Sequence, residues 1–527
     1  MTKHPPPSRF FCPGGGYFAM RDSFNPNLFC PSDRMKLFYC SKAQYGGWIS
    51  FTAHLALTTG YQLYKPSKIN SNPRSFGYGT DYCLIKDISG DCLITAIDKH
   101  YYSFLPFFPE GTHLVIHDPT ELTTQLLPHL SRFKIITIRP LVQTLLRERH
   151  NISSTLLLHP FHLDSYPSAE KTKAVSISRI DFDKHTHIIL KANQLMDNPI
   201  ALYGAVNRLY VFHQLRSLGF NDHYRGTFAK TKEALKKILA DAKYVVDMSL
   251  IKNDGGGSQY TFLEAIAAGC VLVLHRGWLR PGGEFVEGYN CLAAASPEEL
   301  KAVLEKEHDL LTIRQNASAL LKRHTEESWL FPTEKDFQPI LDELKRRPIA
   351  LNNYRNIAGN GRSQAFGVVG RRCLNPDYSR QCWQRPYLYK LLLDYGQKFV
   401  KIPWTSVTVN DNYSAAPHRD RGNVGQSYLV GFGDYTGGAL SIHEGDLSGS
   451  HLIRHNPLIT DFSKVLHSVQ QWEGQRYSLI FYTAKGSAGL PSPSVRLVDG
   501  KWLFFRGDEH CVGLPHPLKG RTVGITI

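Results

Sequence analysis

The sequence predicts an α/β chain that ends in a β unit, and three observations carry the prediction. Apolar runs such as residues 92–96 and 271–275 alternate with helical stretches, the pattern of buried parallel strands. Glycine loops at Gly46-Gly47 and at residues 254–257 each lead into a helix, the opening move of an α/β nucleotide-binding unit. From Thr405 the pattern changes to short strands with glycine turns, as a double-stranded β-helix (jelly roll) requires. At 527 residues the chain exceeds one ordinary core and implies about three domains, expected at 1–165, 166–348 and 349–527.

Composition narrows the class. A hydrophobic fraction of 42% with 12% aromatic residues excludes a disordered chain. The net charge of +15 is compatible with a polyanionic partner and also with plain solubility. Residues 351–527 hold 20 Lys/Arg against 12 Asp/Glu, a surplus of eight, so the basicity is shared along the chain and is not a tail. The 10 cysteines include no Cys-x-x-Cys pair, which argues against a zinc cluster or disulfide framework and for a reducing compartment. No apolar signal segment opens the chain, and no apolar run nears the roughly 20 residues that span a bilayer. The expected location is the cytosol, the nucleus or an infected cell, with a viral or phage origin in the last case and no membrane partner.

Taken in order, residues 1–34 read as an irregular lead-in, followed by a strand at 35–40 and a helix at 48–57. Gly46 and Gly47 between them let a ligand approach the backbone, or simply make a tight turn. Strands follow at 92–96, 113–117 and 133–138, with a helix at 121–130. His117 and Asp118 close a strand at the sheet edge where such folds carry their sites, so Asp118 is a candidate catalytic acid; a helix cap is its plainer role. The polar stretch 164–173 reads as a hinge. Strands at 174–179, 200–204, 244–248 and 271–275 form a second series, with a helix ending near Leu218 and a lysine-rich helix near 230–242. Gln259, Tyr260 and Thr261 open the helix after the second glycine loop, where backbone N–H groups attract a diphosphate. Residues 298–321 read as one helix packing through Leu300, Val303, Leu304, Leu310 and Leu311, and 330–347 as a boundary helix and linker. The last unit begins with a strand and turn at 356–370 and a helix at 385–396, apolar at Leu388, Leu391 and Leu392.

The densest chemistry lies near the C-terminus. His418 and Asp420, two apart, project from one face of an extended segment; His467 follows 49 residues later and Arg476 nine beyond that. Two imidazoles and one carboxylate are the facial set of an oxygen-activating Fe(II) centre. An arginine on the strand 475–482 can grip the far carboxylate of 2-oxoglutarate through two parallel hydrogen bonds. The tail from Val495, with Trp502, Phe504, Phe505, His510 and Arg521, faintly echoes the segment from His467, so His510 and Arg521 are rivals for the distal positions.

Residues 418–428, the turn Gly433-Asp434-Tyr435-Thr436-Gly437-Gly438, His467 and the run Gly474-Gln475-Arg476-Tyr477-Ser478 resemble the TET/J-binding-protein dioxygenases over about residues 352–485. The resemblance implies oxidation of the methyl group of thymine or methylcytosine in nucleic acid, using Fe(II) held by His418, Asp420 and His467, and 2-oxoglutarate held by Arg476. Asn423 or Tyr428 would then line the base pocket.

The upstream units resemble the GT-B glycosyltransferases, with two Rossmann-like lobes. Arg179 and Lys184 look like their diphosphate clamp, surface charge being the alternative, and Glu264 like the carboxylate that holds the donor ribose. Gly282-Gly283-Glu284 to Asn290 and residues 296–300 match that lobe's closing segment. The partner acid eight residues before Glu264 is replaced by Gly256, with Asp254 the nearest carboxylate. The resemblance implies a nucleotide-sugar donor, a UDP-sugar, bound by these residues with Gln259, Tyr260, Thr261, Gly46 and Gly47.

Together the two resemblances imply sequential chemistry on a nucleic-acid base, DNA above RNA: oxidation makes a hydroxyl and glycosyl transfer uses it. A protein hydroxylase joined to a glycosyltransferase, as in collagen-lysine modification, predicts a secreted, disulfide-bearing chain, and neither mark is present. A DNA-binding protein with one degenerate catalytic domain stays open because of Gly256.

Overall fold

Strands that are apolar on both faces must be covered on both sides, and in the computed structural model they form parallel sheets flanked by helices. Residues 35–510 are described, apart from 45, 168, 229–230, 251–255, 326–328, 351–360, 372–373, 446, 488–492 and 508. The expected lead-in, Asp254 and Arg521 lie outside them. The first sheet runs Arg74–Gly77, Thr80–Ile85, Gln62–Pro66, Lys36–Cys40, Cys92–Ile97, His113–Ile116, Lys134–Thr137, Ser154–Leu156. Every pairing is parallel except the edge hairpin formed by its first two strands. Central Lys36–Cys40 feeds the helix Gly47–Thr59 through the first glycine loop.

A second, wholly parallel sheet runs Ala201–Tyr203, Lys173–Ile177, Ala242–Asp247, Val271–His275, Leu292–Ala294. These are two Rossmann-like α/β lobes, and one apolar cluster joins them: Phe51 and Phe161 from the first pack with Phe262, Leu263 and Ala265 of the helix Tyr260–Ala267.

Three expectations change. The helix expected at 121–130 is instead two 3-10 turns, Pro119–Glu121 and Leu127–Arg132, because Pro128 lacks an N–H and its ring opposes the carbonyl one turn back. The single helix expected at 298–321 is two, Pro297–Glu305 and Leu310–Thr325, with Asp309 capping Thr312 N (3.1 Å) at the start of the second. The boundary helix, Glu334–Arg346, packs with the third unit: Phe337 stacks on Phe432 at 4.8 Å.

That third unit is built on an antiparallel sheet, Leu374–Tyr378, Arg362–Arg371, Ser406–Asp411, Tyr477–Ala484, Asn423–Phe432, Leu458–Thr460. Helix Pro386–Phe399 covers it, burying Leu388 and Leu392 with Phe366, Val407 and Phe481. A smaller sheet runs Gly449–His451, Leu440–Ile442, His467–Val469, and His418 extends it through an antiparallel bridge to His467. Leu429 of the large sheet meets Leu440 and Ile442 of the small one in a shared apolar cluster. A two-stranded ribbon, Tyr435–Gly437 with Trp472–Gly474, completes this part. The tail hairpin Pro493–Val498 and Lys501–Arg506 pairs outside these sheets and anchors through Phe504 against Tyr378 (5.3 Å). Among the described residues no helix is long and apolar enough to cross a membrane.

Candidate metal centre and inter-lobe site

His418, Asp420 and His467 each bring one ligand atom within 4.8 Å of the others. Two backbone bonds fix the histidines side by side, His418 N to His467 O (2.9 Å) and His467 N to His418 O (3.0 Å). Each ring then meets a carbonyl through Nδ1: His418 with Ala416 O at 2.8 Å, His467 with Val465 O at 3.1 Å. A carbonyl only accepts, so both Nδ1 atoms carry the proton, which leaves Nε2 of each ring as the atom available to a metal. Burial holds His467 below the usual imidazole range, which keeps it neutral. Asp420 is anchored by its own N–H to Phe462 O (2.9 Å), while Asn423 Nδ2 donates to Asp420 Oδ2 (3.3 Å). The donor set, two imidazoles and a carboxylate, suits Fe(II).

Arg476 lines the same cavity and is 2% exposed. Its backbone N–H is held by Asn412 Oδ1 (2.8 Å), and its Nε donates to Gly438 O (3.2 Å), which sets the plane of the guanidinium. Burial pulls its pKa down, opposed by the neighbouring Tyr435, yet an arginine stays charged. Among the described residues no carboxylate pairs with it. A buried cation without a counter-charge is costly, so the site fits an anionic ligand such as the 2-oxoglutarate carboxylate. Asn410, paired in register with Ser478 and donating to its hydroxyl (3.2 Å), lines the cavity too and leaves its Oδ1 without a donor among the described residues. Asn410 and Asn412 escaped the sequence reading; the available signal was an asparagine in the strand Ser406–Asp411 and another just past its end. Asn423 lines the cavity, whereas Tyr428 does not: its hydroxyl meets Tyr395 OH at 3.1 Å in the core.

The second lobe distributes its expected site residues unevenly. Lys184 is buried, with Nζ donating to Ser249 Oγ (2.8 Å) and Gln259 Oε1 (3.4 Å). Asp247 Oδ2 and Gln259 Nε2, in the same cluster at the carboxyl end of the strand Ala242–Asp247, lack hydrogen-bond partners among the described residues. Arg179 does not join Lys184 in a clamp: it is exposed and paired with Asp181 (2.8 Å) and Asp183 (3.1 Å) of its own loop, the surface-charge alternative. Thr261 sits half-buried on the first helical turn. Tyr260 and Glu264, one turn apart, face the first lobe instead of the Lys184 cluster, because Gln259 and Glu264 are about 140° apart around the helix. Tyr260 OH donates to Pro160 O (3.0 Å) and its ring stacks on His54 (4.9 Å). Glu264 Oε1 lies 3.8 Å from His54 Nε2, and His54 also stacks on Phe161 (4.7 Å). Glu264, for which a grip on the donor ribose was expected, packs beside His54 in this structure, as does Tyr260.

In the first lobe Asp118 is a cap: its Oδ1 accepts from Thr120 N (2.8 Å) and from the Thr120 hydroxyl, opening the turn Pro119–Glu121. Of the two roles read for it, candidate acid and cap, the structure shows the cap. Gly46 has φ +102°, which favours glycine, and both Gly46 and Gly47 lie exposed at the N-terminus of the helix Gly47–Thr59 with open space above them.

No protein-family model and no curated protein matches this chain. Among solved structures, HepE of Anabaena in complex with UDP is 14% identical with a TM-score of 0.43, over 56% of this chain and 96% of that one. A glycosyltransferase from Rickettsia africae is 10% identical with a TM-score of 0.40, over 56% and 95%. The lipopolysaccharide outer core galactosyltransferase WaaB, in its apo form, is 12% identical with a TM-score of 0.39, over 56% and 100%. None reaches a TM-score of 0.5, so the two-lobe architecture rests on this chain's own sheets.

Proposed function

We propose that the third unit is an Fe(II)/2-oxoglutarate dioxygenase that hydroxylates the methyl group of a nucleic-acid base, thymine or methylcytosine, and that the two lobes are a GT-B glycosyltransferase adding a sugar from a UDP-sugar to the new hydroxyl. The observation that carries the reading is the buried Arg476, without an acid partner among the described residues, in the cavity lined by His418, Asp420 and His467. The large sheet's order through Ser406–Asp411, Tyr477–Ala484, Asn423–Phe432 and Leu458–Thr460, with the smaller sheet around His467, supports a double-stranded β-helix.

Bound by these residues, iron and 2-oxoglutarate supply the oxidation that inserts one oxygen atom of O2 into a C–H bond while the co-substrate becomes succinate and CO2. The chain's part is placement. Ala416 O and Val465 O orient the imidazoles, Asn423 steadies Asp420, and Arg476 fixes the co-substrate by its far carboxylate. Leu429, Leu440, Phe462 and Val469 line the same cavity with apolar surface that excludes water. A duplex target must present its base flipped out of the stack. In the second lobe Lys184 offers a cation for a diphosphate, and Gln259 an unused amide N–H.

The test is nucleoside mass spectrometry on DNA incubated with the protein, Fe(II), 2-oxoglutarate and UDP-sugars. The expected products are a hydroxymethyl base without the sugar donor and a glycosylated base with it; no new nucleoside from iron-loaded protein overturns the reading. His418→Ala should abolish the hydroxymethyl base while transfer to pre-hydroxylated DNA persists. The packing of Tyr260 and Glu264 against His54 favours a second reading, in which the paired lobes bind nucleic acid without transferring a sugar. Hydroxymethyl product with no glycosylation from any UDP-sugar is its signature.

A further inference from the structure

Arg476 needs a rigid wall if its fork is to meet a carboxylate in register, and that wall is the ribbon Tyr435–Gly437/Trp472–Gly474. The guanidinium lies 5.7 Å from the Tyr435 ring and 5.4 Å from the Trp472 ring, and its Nε is bound to Gly438 O just beyond the ribbon. Among the described residues the ribbon pairs with no third strand, and a two-stranded ribbon is marginal without outside support.

The support comes from the segment Leu452–Asn456. Arg454 NH1 donates to Tyr435 O (3.3 Å), and its guanidinium lies 5.8 Å from the same ring that meets Arg476. Three consecutive residues of this segment are held by the first lobe. Lys134 Nζ donates to Arg454 O, Asp91 Oδ1 pairs with His455 Nδ1 (3.0 Å), and His113 Nε2 meets Asn456 Oδ1 (3.3 Å). These groups surround a crevice of about 270 Å³ between the first lobe and the third unit, with Tyr435, Thr436 and Gly437 on its far side. Tyr435 is 4% exposed and belongs to both places: it lines the crevice and touches the cation of the metal cavity.

We propose that Lys134 and Arg454 are positioning residues for the co-substrate, acting through Tyr435 on Arg476, so that docking of the first lobe sets the oxygenase's affinity for 2-oxoglutarate. The inference rests on the co-substrate reading of Arg476. It makes the α/β lobes part of the oxygenase's working structure and not only a second enzyme on the same chain.

The experiment is calorimetric titration of 2-oxoglutarate into the full chain loaded with Mn(II), which occupies the centre without turnover. Wild-type protein that fails to bind 2-oxoglutarate overturns the co-substrate reading itself, whatever the variants do. If the wild type binds, Lys134→Met should weaken 2-oxoglutarate about tenfold, the scale of one lost hydrogen bond, with Mn(II) affinity unchanged and Lys134→Arg restoring most of the loss. Arg454→Lys, which keeps the charge but loses the planar contact with Tyr435, should weaken it similarly, and it is the variant read if Lys134→Met does not fold. Wild-type 2-oxoglutarate affinity in folded Lys134→Met, or in Arg454→Lys where that does not fold, overturns the inference. A parallel loss of Mn(II) affinity also overturns it, since that is a general loosening of the domain.

Discussion

At Arg476 a single side chain carries the proposed step from a candidate metal site to a co-substrate site. The guanidinium is buried and planar and meets no carboxylate among the described residues, so it suits an anion that accepts two parallel hydrogen bonds. Arg476→Lys keeps the charge but replaces the fork by a point charge. We expect 2-oxoglutarate affinity to fall about tenfold to a hundredfold, with metal affinity unchanged, in the same Mn(II) calorimetry. Unaltered affinity would remove Arg476 from the co-substrate site. His418 and Asp420 could be paired from strand periodicity, whereas His467 and Arg476 were singled out by the resemblance; the structure brings all four to one cavity. For Asp118 and Arg179 the sequence left two roles open, and the structure shows the local one, set by Thr120, Asp181 and Asp183, near neighbours within reach of short hydrogen bonds and charges.

The helix Pro386–Phe399 shows how an element's own propensity can be overruled by what it packs against. In an isolated helix Gly396→Ala gains roughly 0.5–1 kcal/mol. Here a Cβ on Gly396 would stand 2.4 Å from Trp404 Cζ2 and 2.9 Å from Phe481 Cε1, both fixed in the packing under the large sheet. The expected outcome is destabilisation by about 1–3 kcal/mol in urea unfolding, the cost of overpacking. A stabilised variant would mean that the helix stands off the sheet. The same helix was readable from Leu388, Leu391 and Leu392, whereas the edge strands Arg74–Gly77 and Ser154–Leu156 were not, being short and without strong apolar alternation.

Across the whole molecule, neutral histidines are buried around the first sheet. Burial pushes His113 down to about 3 and His117 to about 4, and holds His159 well below the usual range. In the unfolded chain each titrates near 6.5. Between the folded and unfolded values the unfolded state binds more protons, so stability rises with pH there and is lost as pH falls below about 6.5. His113 and His117 should each cost about 2 kcal/mol at pH 5. Melting temperature should therefore fall steeply between pH 7 and 5; a flat profile would mean that these rings are hydrated. The first-lobe contact at His113 and Asn456 makes the third unit share in that loss.

By itself the sequence determined the order of architecture, two α/β series followed by short antiparallel strands, and singled out His418, Asp420 and His467 as candidate ligands, because hydrophobic period and motif spacing are local properties of a chain. Tertiary structure alone decided which charged groups are spent on neighbours and which face a cavity. It turned Tyr260 and Glu264 toward His54, away from the Lys184 cluster, and placed Lys134 of the first lobe behind the wall of Arg476. Those outcomes depend on contacts between segments tens to hundreds of residues apart, where burial and pairing energies are set by three-dimensional proximity that no local pattern encodes.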